Sequence, residues 1–123
     1  MSTLTVTNIK ATGETASRAV SGVAAAWVNL DVNTAIRDST NVSSATDNGS
    51  GDYTQNLTSA MSNASYSTQA SGGSGRASSG TVYWGGFTDV APTTSSSRIQ
   101  MLYGSGTAAD PQDTCFTTHG DLA

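Results

Sequence analysis

The chain has 123 residues, enough for one ordinary domain. Only 36% of them are hydrophobic and 11% charged, and its five basic residues are scattered within a net charge of −4, which excludes the Lys/Arg cluster of a nucleic-acid binder. No apolar run approaches the roughly 20 residues of a membrane span, so no membrane insertion is expected. MSTLTVTNIK also lacks the basic-then-apolar layout of a secretory signal.

Leu, Ile, Val and Phe total 18, while Ser and Thr number 19 each. Thr is β-branched and suits strands better than helices. So small an apolar inventory must still offset about 1–2 kcal/mol of backbone entropy per residue with about 25 cal/mol per Å² buried. Association between copies relieves that shortfall, so a homo-oligomer is expected.

Along the chain, STLTVTNI alternates Leu4 and Val6 with Thr and predicts a short strand or extended arm. The polar KATGETASRAVSG follows, with breakers at Gly13 and Gly22 and room for a helical turn from Glu14 to Val20. Residues 1–22 therefore read as an extended N-terminal arm for attachment or oligomerisation, and residues 23–123 as a single β domain. The clearest strand lies in AWVNLDVNTAIRD. Trp27 stands at its start, Val28, Leu30 and Val32 share a face, and Ile36 opens the next strand after a turn at Asn33-Thr34. VSSAT enters DNGSGD, and YTQNLTSAM leaves it with Tyr53, Gln55, Leu57, Ser59 and Met61 on one face.

ASYSTQA aligns Ala64, Tyr66, Thr68 and Ala70, and SGGSGRASSG, residues 71–80, predicts a flexible Ser/Gly loop within the domain. GTVYWGGF sets Val82 and Trp84 opposite Thr81 and Tyr83, and SRIQMLYG aligns Ile99, Met101 and Tyr103. After a turn at Asp110-Pro111, a last strand runs through Thr114–Thr118. The sum is an all-β, small antiparallel sandwich or jelly-roll-like domain of about seven or eight strands. Trp27, Val28, Leu30, Ile36, Tyr53, Leu57 and Tyr66 are its expected core or oligomer interface.

DNGSGD invites comparison with a calcium loop. The helical calcium loop needs oxygen ligands at positions 1, 3 and 5, and here Gly occupies positions 3 and 5. Asn-Gly is instead the favoured pair of a tight hairpin turn, which assigns Asn48, Gly49 and Gly51 to a turn. Cys115 and His119, the one Cys and the one His, fall short of the three or four ligands zinc takes, and nothing in the sequence joins Asp110 and Asp113 to them. No G-x-S-x-G elbow accompanies His119, Glu14 is the one Glu, and no phosphate-binding or dinucleotide fingerprint occurs. The sequence therefore predicts neither an enzyme nor a cofactor. Sequons at Asn41, Asn48, Asn56 and Asn63 carry little weight in so Ser/Thr-rich a chain. Among the aromatics, Tyr83 and Trp84 are the candidates for contact with a glycan, because alternation sends them to opposite faces and leaves one for the surface.

Residues 26–66, from AWVNLD through TAIRDSTNVSSATDNGSGDYTQNLTSAM to NASY, resemble a module of bacteriophage tail-fibre-like proteins. Leu30 and Leu57 stand where that family usually carries Phe, and Thr40, Ala45 and Gln55 where it carries larger apolar residues. At a buried site such changes cost about 1–3 kcal/mol each, which again favours burial between subunits. The resemblance implies a virion structural protein on the particle surface, trimeric and often facing a host receptor, with no catalytic residues. Two locations are weighed: a tail-fibre or tail-tip adhesion module, and a capsid decoration or head-fibre protein clamped on the lattice by its arm, the latter suiting the shortness of the chain. Expected partners are further copies of the chain, other virion proteins of tail or capsid, and host surface glycan.

Overall fold

A computed structural model describes residues 4–9, 18–19, 23–73 and 82–123. Among them are ten strands and no helix: β1 Asn8–Ile9, β2 Arg18–Ala19, β3 Ala24–Asp31, β4 Ile36–Thr40, β5 Val42–Gly49, β6 Asp52–Leu57, β7 Ser67–Gly73, β8 Val82–Phe87, β9 Ser96–Leu102 and β10 Asp113–His119. β1 and β2 pair as a separate two-stranded antiparallel sheet. The other eight form one antiparallel sheet in the order β4-β3-β10-β7-β8-β9-β6-β5, nearly closed into a barrel.

Alternation builds the inside. Ala26, Val28 and Leu30 of β3, Tyr53 and Leu57 of β6, Ile99 and Met101 of β9, and Phe116 of β10 are all buried, while the residues at alternate positions on these strands are partly exposed. Each large side chain so removed from water contributes about 1.5–3 kcal/mol. Tyr53 and Phe116 meet across the interior with ring centroids 6.5 Å apart at 55°, within the tilted geometry aromatic pairs prefer. Gly85 of β8 occupies an inward position, and a Cβ there would lie 2.5 Å from Cβ of Ala70 and 2.9 Å from Sδ of Met101. The missing side chain is what lets β7 and β8 close on the methionine.

The two outermost strands, β4 and β5, are consecutive in sequence and joined through Asn41 alone. Asn41 has φ 56, a conformation that Asn tolerates better than most residues. Its side-chain amide donates to the carbonyls of Ala25 and Ser59, both at 3.2 Å. Its side-chain oxygen accepts from the Ser59 amide at 2.7 Å, and its own carbonyl from Thr58 at 3.1 Å. One residue thus reverses the chain and ties the start of β3 to the segment following β6. Beyond that corner β4 pairs only with β3 and β5 only with β6, so a seam remains.

Several expectations are corrected in detail. The strands make one curled sheet, where two packed sheets of a sandwich or jelly roll were expected. Alternation fixes which face of each strand is buried but not which strands neighbour one another. Ser71–Gly73 belong to β7, not to the Ser/Gly loop, because they pair with both β8 and β10; the remainder of that loop lies outside the described residues. Arg18–Ala19 are strand rather than helical turn, and the rest of that predicted turn lies outside the described residues. Val32 falls past the end of β3 and is exposed. The reversal after β3 is held by Asp31, whose carboxylate accepts from the amides of Asn33 and Ala35 at 2.8 and 2.9 Å, with Thr34 at φ 63.

Replacing Asn41 with Ala removes three side-chain hydrogen bonds, each worth about 0.5–1.5 kcal/mol net, and places a Cβ residue with lower tolerance at a left-handed position. Urea unfolding is expected to show a loss of about 2–4 kcal/mol on that basis. Asn41→Gly, which restores the backbone freedom but not the bonds, is expected to fall between Asn41→Ala and the parent.

Candidate functional site

β8 carries the aromatic pair singled out in the sequence and separates its members. Tyr83 turns inward, half-buried against the core, its ring edge-on to Tyr103 at 6.2 Å and 72°. Trp84 turns outward and is 53% exposed, the most exposed aromatic among the described residues. A Cβ on Gly86 would stand 4.0 Å from Cζ3 of Trp84, so the indole leans along its own strand over the glycine. Register places Asn29, Cys115, Ser71, Trp84 and Leu102 in one row across the outer wall. Gly86, Gln100 and Asp52 form part of the next row.

Leu102 stands beside the indole, and beyond it the wall toward β5 is polar. Arg98 of β9 holds Asp52 of β6 through two parallel bonds, Nε to Oδ1 at 2.8 Å and Nη2 to Oδ2 at 2.6 Å. The hydrogen bond to that guanidinium is the main reason the Asp52 carboxyl is held below its ordinary value of 3.8, against the opposing effect of burial. The amide of Asn48 donates to Thr54 Oγ1 at 2.9 Å, and that of Asn56 to Ser44 Oγ at 3.1 Å and Thr46 Oγ1 at 3.3 Å. From β9 to β5 the wall is therefore a ladder of hydroxyls, amides and one bidentate ion pair. Both donors and acceptors are held on paired strands, a firmer support than a loop provides.

The hairpin beside this wall keeps DNGSGD at one end of the sheet. β5 runs through Gly49 and β6 begins at Asp52, opposite Gly49, so the tip is Ser50-Gly51 and Asn48 occupies a bulge just before it. Positive φ falls on Gly49 at 129 and Gly51 at 64. Gly51 sits so close to Met101 and Ala109 that a Cβ would lie 2.5 Å from one carbonyl and 2.7 Å from the other. Asp110 docks the tip by accepting from the Gly51 amide at 2.5 Å and from the Tyr53 hydroxyl at 3.0 Å. Burial, reinforced by that carboxylate, raises the Tyr53 pKa far above its ordinary value, and burial also raises that of Tyr66.

Other residues marked in the sequence are dispersed. Cys115 and His119 lie four positions apart on β10, about 13 Å along an extended strand. Cys115 Sγ accepts from the Asn29 amide at 3.0 Å. Asp113 is paired with Arg37, and Asp110 with the hairpin. Trp27, partly exposed, lies on the outer face, opposite Thr40 and Thr117, whereas Val28, Leu30, Tyr53, Leu57 and Tyr66 are buried. Ile36 is 37% exposed.

Sequence reasoning missed the polar cluster inside. Gln55, 1% exposed, donates through Nε2 to Ser97 Oγ at 2.8 Å and Thr118 Oγ1 at 2.6 Å, and Thr118 Oγ1 lies 3.0 Å from Thr68 Oγ1. The signal was Gln55 itself, flanked at two-residue spacing by Tyr53 and Leu57. No protein-family model, curated protein or solved structure matches the chain.

The buried tyrosines fix a pH dependence. Tyr53 and Tyr66 must stay protonated in the folded state while the unfolded chain ionises them near 10.0. Above that pH the unfolded state binds fewer protons, so stability is fully present below 10.0 and falls as the pH rises further. Urea midpoints measured on both sides of pH 10 are expected to show this fall, and Tyr53→Phe to make it shallower.

Proposed function

We propose that this chain is a bacteriophage virion structural protein, a homotrimeric tail-fibre or tail-tip module displayed on the particle, whose outer wall around Trp84 contacts a host surface glycan. The observation that carries the reading is the exposed indole lying over Gly86 on the same outer wall as the hydroxyls, amides and Arg98–Asp52 pair of the neighbouring strands. A flat apolar face beside fixed donors and acceptors matches a sugar ring, which presents C–H groups on its faces and hydroxyls at its edge. The phage resemblance adds support, since residues 26–66 supply β3 to β6 and with them both margins of the sheet and the polar hairpin beside the wall. Tyr83 then acts from beneath, steadying β8 through Tyr103.

Capsid decoration is the second reading, and one observation favours it. Val23, Phe87, Val90 and Leu122 are exposed, and strand register brings them to the same end of the sheet, where β3 starts and β8 and β10 finish. Such an apolar end suits seating on a lattice. Counting the protein on intact particles separates the two, because decoration scales with the number of capsid subunits and a tail component does not.

Trp84→Ala is expected to weaken binding of the purified protein to susceptible cells by about tenfold, roughly 1.4 kcal/mol, with an unchanged melting temperature because the ring is largely exposed. Binding equal to that of the parent rejects the glycan wall. Tyr83→Ala is expected instead to lower the melting temperature.

A further inference from the structure

The seam between β4 and β5 leaves the inner face of the sheet uncovered. Ile36 lies opposite Leu30, which is 0% exposed, yet Ile36 itself is 37% exposed. Ala45 lies opposite the buried Gln55 and is only partly covered. Both residues sit on edge strands, and each lacks the neighbour that a closed barrel would provide. The two edges are not equally guarded. β4 has five residues, two of them the charged Arg37 and Asp38, and its pairing is broken by a bulge opposite Asn29 and Leu30. β5 has eight residues, VSSATDNG, with no Pro, Lys or Arg; its register shifts after Val42 and again after Asp47, its one charge, which leaves Ser44–Asp47 as the regular stretch of its free edge. A free edge with such a regular stretch is a template for another strand.

The arm holds a segment of matching character. Residues 4–7, Leu-Thr-Val-Thr, lie in no strand, with Leu4 84% and Val6 42% exposed. From Ser2 to Ile9 the sequence is uncharged and alternates apolar with polar residues around Leu4 and Val6. Its period of two is the period of a strand with one buried face.

We propose that residues 4–7 of one copy add as a strand to the β5 edge of a second copy. Leu4 and Val6 then turn toward Ile36 and Ala45, and Thr5 toward the outer Ser44 and Thr46. The occupant comes from another copy because the chain's own Leu4 and Val6 stand in solvent while its own seam is bare. Arm-to-edge contact joins two different surfaces, so it closes as a reciprocal exchange between two copies or as a larger ring, whereas two β5 edges meeting each other would use one surface twice and leave the arms free. This inference rests on the assembly of copies in the functional reading and is independent of glycan binding.

The test compares the full-length parent with a Leu4→Asp/Val6→Asp double variant by size-exclusion chromatography with light scattering. Both positions are exposed in the single chain, so the variant is expected to keep the parent's far-ultraviolet circular dichroism while falling from oligomer to monomer. In a Cys115→Ser background, Val6→Cys and Ala45→Cys chains are also mixed and treated with a short bis-maleimide, and a product joining the two chains is expected. An oligomer of unchanged mass in the double variant, or a cross-link formed only within a chain carrying both cysteines, overturns the arm exchange alone. A monomeric parent overturns the assembly of the functional reading together with it.

Discussion

The shape of this molecule depends on the corner at Asn41. A single residue with φ 56 turns β4 into β5, and its amide grips Ala25 on one side and Ser59 on the other. The first and last strands of an eight-stranded sheet are thereby pinned at one point, so the sheet must curl. Curling creates an inside narrow enough for Tyr53 and Phe116 to meet. It also creates a convex outside on which Trp84 stands clear. A flat sheet of the same strands would bury neither face, and an isolated hairpin of β5 and β6 would be marginal in water.

The inside is filled differently from an ordinary small β core. Where Gln55, Ser97, Thr118 and Thr68 converge, hydrogen bonds occupy space that apolar side chains would otherwise fill. Such a network contributes little net stability, because burial first strips each group of its water. It does penalise wrong registers: a slip of one residue in β6 would turn Gln55 outward and leave the hydroxyls of Ser97 and Thr118 without it. The cluster acts on uniqueness of pairing more than on the depth of the energy well. Gly85 has a comparable role in β8, since its alignment with Ala70 and Met101 admits no side chain.

What could be read in the sequence follows from what alternation encodes. Val28 and Leu30 in β3, Tyr53 and Leu57 in β6, Ile99 and Met101 in β9 all declared their buried face, and the Tyr83-Trp84 step declared that one ring would face out. Period-two patterning is local, and it succeeds wherever a strand has an inside and an outside. It is silent on which strands become neighbours, so a single curled sheet and a two-layered sandwich look alike at that level. Asn41 was hidden because an Asn between Thr40 and Val42 resembles any polar residue in a polar strand; only its distant partners at Ala25 and Ser59 reveal the corner. Of the expected turn residues Asn48, Gly49 and Gly51, Gly51 lies at the tip, where Asp110, far away in sequence, accepts from its amide. Ile36 looked like a core residue for a sound local reason, and is uncovered because its strand happens to be an edge.

That last residue connects the composition to the fold. A chain with 18 Leu, Ile, Val and Phe residues has little apolar material for an eight-stranded interior, and two places in the fold carry polar or uncovered positions instead. One is the interior, where Gln55 and its hydroxyl partners substitute polar contacts for volume. The other is the seam, where Ile36 and Ala45 face inward without a strand to cover them. Closing the seam within the chain would require β5 to lie along β4, and the bulge opposite Leu30 together with the Arg37–Asp113 pair holds β4 to the β3 and β10 side instead. The apolar material absent from the seam is present in the same chain, at Leu4 and Val6, but exposed on the arm. The proposed exchange between copies would bring that apolar strand to the place where the seam lacks one.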